Sequence, residues 1–177
     1  PGVIPKNNYY KFATYAHYLE EAGVDLIMLA CSTFNMAAEL ATPMINTPIL
    51  QIDRPMMELA LSHGRRIGLI ATVPTTVPSS ERLLKKVAEE KGVDVEIRTE
   101  LCSDAFAALG RGDVALHNSM LIDKVNEMSG DVDAIVLAQV SMSALEPMLK
   151  DTKVPVYNSG RTGFERARQK LGLEPLK

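Results

Sequence analysis

Val24-Asp25-Leu26-Ile27-Met28-Leu29-Ala30-Cys31-Ser32-Thr33 decides the fold. From Val24 to Ala30 the run is short and almost continuously apolar, which suits a parallel strand covered on both faces. It follows Gly23, placed where a helix over Asn8 to Ala22 would end. That helix is read from Tyr9, Phe12, Ala13, Tyr15, Ala16 and Leu19, which recur near helical spacing. Beyond the polar Cys31-Ser32-Thr33, Phe34 to Leu40 again reads as helix.

The same rhythm runs on through the chain. Pro48 to Ile52 is a strand candidate, followed by a helix from Arg54 to Ser62. Arg66 to Thr72 is the next strand. Pro74 to Ser80 reads as a polar loop in which Ser79 or Ser80 caps a helix from Glu81 to Lys91. Val93 to Leu101 alternates like an edge strand. Ser103 to Met128 is helical with a break near Gly110–Gly112, and Ala134 to Ala138 is a buried strand. Met142 to Lys150 reads as helix, Val154 to Val156 as a short strand and Thr162 to Leu171 as the last helix. Strands alternating with helices predict an α/β fold with parallel sheets and right-handed crossovers.

Two stretches resemble each other. Gly23 to Ser32 and Asp131 to Ser141 each form a buried strand ending in a small residue and then a polar one, which hints at duplicated lobes.

Bulk properties narrow the function classes. The chain has 177 residues, 46% of them apolar, and a formal net charge of −3. No basic stripe marks a nucleic-acid partner. No apolar run approaches the roughly 20 residues of a membrane span, and no signal peptide is evident. Cys31 and Cys102 are too few for a disulfide framework, so a reducing cytoplasm is the expected compartment. The chain starts at Pro1 and enters a helix almost at once, which leads us to expect a truncation that removes a first strand. Neither a Gly-x-Gly-x-x-Gly turn nor a Walker lysine loop is present, so no nucleotide cofactor is expected.

In open parallel sheets, ligands bind beyond the carboxyl ends of strands. Three such ends carry polar residues: Cys31-Ser32-Thr33 with Asn35, Thr72 with Thr75 and Thr76, and Gln139 with Ser141. A thiol between a strand and a helix start sits where free amides and the helix dipole favour thiolate; its bland alternative is a small buried hydrophobe. Hydroxyls and amides before a helix can hold a carboxylate, or merely cap it. Cys102, beside an edge strand, reads as structural. His17, His63 and His117 show no metal-ligand spacing, and no metal site is expected.

Together these motifs resemble the aspartate/glutamate/hydantoin racemase superfamily, which also includes maleate isomerases and arylmalonate decarboxylases. Gly23 to Thr33 is similar to the family's first cysteine motif, and Gly68 to Thr76 to its substrate-carboxylate loop. Val132 to Met142 matches the second cysteine motif in position but carries Gln139 where the family has a thiol. Val154 to Ser159 is similar to the closing strand. The resemblance implies two parallel-sheet α/β lobes related by a pseudo-twofold. Residues 1–63 would form lobe one, lacking its first strand, with 157–177 returning to it, and 64–156 would form lobe two.

The resemblance further implies a cofactor-independent racemase or isomerase acting by cysteine proton transfer on a small carboxylate, amino acid or hydantoin. Cys31 would be catalytic, with Ser32, Thr33, Asn35, Thr72, Thr75, Thr76, Gln139 and Ser141 binding substrate; a homodimer would fit the family. Family racemases use two thiols on opposite faces of Cα, and a carboxamide does not titrate usefully. A single-cysteine decarboxylase, which needs one proton donor, and a non-catalytic carboxylate-binding protein are the alternatives.

Overall fold

A computed structural model describes residues 4–176. Helix α1 (Lys6–Glu21) leads through Gly23, at φ +76°, into strand β1 (Ile27–Leu29). A 3-10 turn (Ser32–Phe34), helix α2 (Asn35–Ala41) and a second 3-10 turn (Thr42–Met44) connect to β2 (Ile49–Gln51). Helix α3 (Arg54–Ala60) follows, then β3 (Arg66–Ala71), α4 (Thr76–Glu90), β4 (Glu96–Leu101), α5 (Ser103–Gly110) and α6 (Val114–Met128). The chain closes with β5 (Ala134–Leu137), a 3-10 segment (Val140–Met148), β6 (Val156–Asn158) and α7 (Ser159–Lys170).

All the strand pairs are parallel. β1 and β2 form a two-stranded sheet, with Ile27 opposite Ile49 and Leu29 opposite Gln51. The other four strands form a sheet in the order β4-β3-β5-β6. The expected α/β architecture with parallel sheets is what the structure has. β4 lies at the sheet edge, as its alternating pattern predicts.

Side-chain alternation explains why the larger sheet is doubly covered. Ile67, Leu69 and Ala71 of β3 join Ala134 and Val136 of β5 and then Ala138 on one face, against Met56, Met57, Leu83, Leu84 and Val87 from α3 and α4. Ile70, Ile135 and Leu137 point to the other face, against Leu121, Val125 and Met128 of α6 and Met142, Leu145 and Leu149. Each fully buried Ile, Leu, Val or Met side chain among them contributes about 1.5–3 kcal/mol of transfer free energy. At Gly68 a β-carbon would lie 2.4 Å from Met128 Sδ, so α6 packs directly on the strand backbone.

Local readings change in three places. The loop expected from Pro74 to Ser80 is largely helix, because α4 starts at Thr76; Ser79 and Ser80 lie inside it, and Thr75 holds the cap position. The segment read as a helix from Met142 to Lys150 is 3-10 from Val140 to Met148, with Pro147 inside it. The expected strand at 154–156 forms at Val156–Asn158 and pairs with β5. That strand therefore crosses the expected lobe boundary at 156/157. α7 packs against α3 and approaches β2: a β-carbon on Gly163 would lie 2.9 Å from Ile52 O.

Candidate active site

Cys31 and Gln139 occupy equivalent positions in their own segments. Each follows an alanine at a strand's carboxyl end, has extended backbone (φ −135°, ψ 107° and φ −148°, ψ 138°) and immediately precedes a 3-10 segment. The likeness between the two stretches of sequence is thus a likeness of local conformation.

A cavity of about 300 Å³ opens between these two strand ends, lined by Ala30, Cys31, Ser32, Thr33, Val73, Thr76, Gln139, Val140 and Ser141. Six of the nine residues expected at the site face this space: Cys31, Ser32, Thr33, Thr76, Gln139 and Ser141. The Cys31 thiol is exposed to it. Cys31 holds the cap position of a three-residue 3-10 turn that runs directly into α2.

Thr72, Thr75 and Asn35 are not part of this lining. Gln139 Oε1 accepts from Thr72 N–H at 2.6 Å and from Thr72 Oγ1 at 2.9 Å. Since a backbone N–H can only donate, the atom facing it must be the carboxamide oxygen. That fixes the amide's orientation and leaves Nε2 on its other side, with no hydrogen bond among the described residues. Thr33 and Thr75 share a 3.3 Å hydroxyl contact. Ser32 Oγ donates to Ala138 O at 2.7 Å, and Ser79 Oγ donates to Ser32 O at 2.7 Å. These bonds join the Cys31 turn to the ends of β5 and α4, so the walls of the cavity hold each other.

Asn35 is buried, and its Nδ2 donates to Asp53 Oδ2 at 3.0 Å; Gln51 Nε2 donates to Asn35 O at 2.9 Å. Asn35 therefore organises the turn and does not line the cavity. Asp53 escapes sequence reasoning, because Asp before Arg54-Pro55 reads as an ordinary helix cap. Burial pushes its carboxyl pKa up, against the opposing pull of the hydrogen bond from Asn35.

Cys102 packs with the Leu121–Val125 cluster, and burial raises its thiol pKa. His63 meets the Tyr157 hydroxyl at 2.6 Å, His117 Nδ1 meets Ala105 O at 2.9 Å, and His17 pairs with Glu21, so the histidines have other partners. Among the described residues, no cluster of His, Cys, Asp and Glu could hold a metal, and no helix is long and apolar enough to cross a membrane.

Residues 8–167 match the family described as Asp/Glu/Hydantoin racemase. A glutamate racemase from Aquifex pyrophilus is 28% identical over 138 residues, covering 76% of this chain and 53% of that protein. The solved structure of glutamate racemase from that organism superposes with a TM-score of 0.62 at 25% identity, over 96% of this chain and 68% of the other. A hydantoin racemase from Rhizobium meliloti is 24% identical over 156 residues, 86% of this chain and 63% of its own length. A mutant of arylmalonate decarboxylase shares the fold, with a TM-score of 0.64 at 17% identity over 94% of this chain and 75% of its own. This chain thus spans between about half and two thirds of the length of those two curated relatives. With a match running from residue 8 to residue 167, the chain belongs to the Asp/Glu/hydantoin racemase family.

Proposed function

We propose that this protein is a cofactor-independent racemase or isomerase that moves a proton at the carbon beside a carboxylate or carbonyl of a small amino acid, carboxylate or hydantoin. The observation that carries the reading is the cavity in which an exposed Cys31 faces Gln139 and a ring of hydroxyls and amides. Cys31 in its thiolate form takes the proton. Negative charge then spreads onto the substrate's carboxylate or carbonyl oxygens, where preorganised donors stabilise it. The hydroxyls of Thr33, Thr76 and Ser141 offer those donors; that of Ser32 is already given to Ala138 O. Gln139, with its oxygen engaged by Thr72, presents its NH₂ group as another.

A single-thiol reaction is the second reading, and Gln139 is the observation that favours it. A carboxamide cannot serve as the second proton carrier of a two-base racemisation. Loss of carbon dioxide from a malonate-like substrate leaves a carbanion that needs one proton, which the Cys31 thiol would supply.

Thiol alkylation near neutral pH tests the shared core of both readings. Cys31 should react rapidly, a small dicarboxylate should slow that reaction, and Cys102 should lag because its burial favours the protonated thiol. A Cys31 no faster than Cys102, with no protection by any of a panel of carboxylates and hydantoins, would remove the thiol from the mechanism.

A further inference from the structure

Asp53 stands in the cap position of α3 without capping it: its side chain makes no hydrogen bond to the amides of that helix. Pro55, two residues on, has no N–H to give. The carboxyl group instead turns into the protein, where it is fully buried. Three chain segments meet around it. Asn35 reaches it from the start of α2 through the 3.0 Å bond to Oδ2. Ser32, next to Cys31, and Ser159, the first residue of α7, lie beside it, but the Ser32 hydroxyl proton goes to Ala138 O. Asp53 Oδ1 and Ser159 Oγ are both buried without a hydrogen-bond partner. α7 is drawn close here because Gly163 lies against Ile52.

We infer that Asp53 is the positioning residue of this site: its carboxyl group ties the turn that carries Cys31 to the start of α3. The inference rests on the proposed role of Cys31, which it deepens. A buried carboxyl group without a cationic partner is most stable as the neutral acid. Charged groups of the surrounding elements pair with one another. Glu39 of α2 pairs with Arg82 and Lys86, and Arg54 of α3 with Glu58 and Glu90. Arg161 of α7 pairs with Glu146, and Arg166 with Glu58. Cys31, the other titratable group on the turn, faces the cavity. As an acid, Asp53 accepts from Asn35 on Oδ2 and carries its proton on an oxygen buried away from water.

Hydrogen exchange in the folded protein tests this without relying on turnover. In Asp53→Ala, the amides of residues 31–35 should exchange roughly tenfold faster, the scale expected when a buried hydrogen bond is lost, while those of β3 and β5 stay within about twofold. Asp53→Asn keeps the shape, one acceptor and one donor, and should leave residues 31–35 within about twofold of the parent. If Asp53→Ala does not fold, Asn35→Ala should loosen the same residues while leaving β3 and β5 protected. Unchanged exchange at 31–35 in a folded Asp53→Ala would overturn the inference, as would uniform acceleration along the chain in Asp53→Ala and Asn35→Ala. An Asp53→Asn protein as loose as Asp53→Ala would overturn the neutral-acid form. Should a Cys31-dependent activity be found, Asp53→Ala should lower kcat more than it raises KM. If Cys31 proves inert while the exchange pattern holds, the positioning stands and the catalytic reading fails.

Discussion

The side-chain oxygen of Gln139 accepts both hydrogen bonds that Thr72 can donate, from its backbone N–H and from its hydroxyl. One residue thereby closes the end of β3 against the end of β5 and turns its own amide nitrogen free. Gln139→Leu should strand a part-buried N–H and cost about 1–3 kcal/mol, read as a lowered midpoint in urea. Gln139→Glu keeps both acceptor bonds and should hold stability near the parent's. It puts an anion where the NH₂ group was, and should weaken protection of Cys31 by a dicarboxylate at least tenfold, a loss expected of like charges facing each other in a confined site.

Gly163 should not tolerate a side chain. Its β-carbon would lie 2.3 Å from Ile52 Cγ1 and 2.9 Å from Ile52 O, and the backbone atom cannot rotate away. Gly163→Ala should destabilise by about 1–3 kcal/mol through overpacking, whereas Gly110→Ala, with open space around it, should not. Thermal unfolding of the two variants side by side checks the contrast.

Two carboxyl groups should give opposite pH signatures. Asp133 accepts from Arg66 through Nη2 at 2.6 Å and from the Arg65 and Arg66 amides at 2.9 Å, which lowers its pKa from 3.8 to about 2. The unfolded chain then binds its proton first. The stability this group contributes is present above pH 3.8 and is lost as pH falls toward 2. Asp133→Asn should lower stability at neutral pH and flatten the acid limb. Asp53 is raised, so the folded protein holds the proton longer. Its contribution is complete below the unfolded value of 3.8 and declines as pH rises toward the folded pKa. Asp53→Asn should therefore gain stability relative to the parent as pH rises from about 4, measured by denaturant unfolding across pH.

Ser32→Ala removes the hydroxyl that donates to Ala138 O. The loss of one such bond should cost about 1 kcal/mol, and with it the turn that carries Cys31 is held less firmly to β5. The measurements are the unfolding midpoint and the rate of Cys31 alkylation. An unchanged midpoint would show that the bond contributes nothing to the fold.

What could be read in the sequence follows from burial. β3 and β5 stand out because both of their faces are covered, which leaves nearly unbroken apolar runs. β1 is shorter than its apolar run because β2 offers only three residues for it to pair with. The start of α4 was illegible: Pro74 and Pro78 among hydroxyl residues read as a loop. Pro78 nevertheless lies in the first turn, where its missing N–H costs no helical bond. At the site, Cys31, Thr76 and Gln139 were legible because strand ends announce themselves. Thr72 and Asn35 were expected to touch substrate; in the fold they support other residues, since sequence gives position along the chain and not which way a side chain turns. Asp53 was illegible because Asn35, which bonds to it, lies far from it in the chain and meets it only in the folded protein.

The most direct test of the central claim is solvent deuterium incorporation, followed by NMR, with amino acids, hydantoins and aryl-substituted malonates in heavy water beside a Cys31→Ala control. The proposed function predicts deuterium at Cα that depends on Cys31, with loss of optical purity for a racemase substrate or a deuterated monoacid for a malonate. Exchange that persists undiminished in Cys31→Ala, or no exchange with any of these substrates, would contradict it.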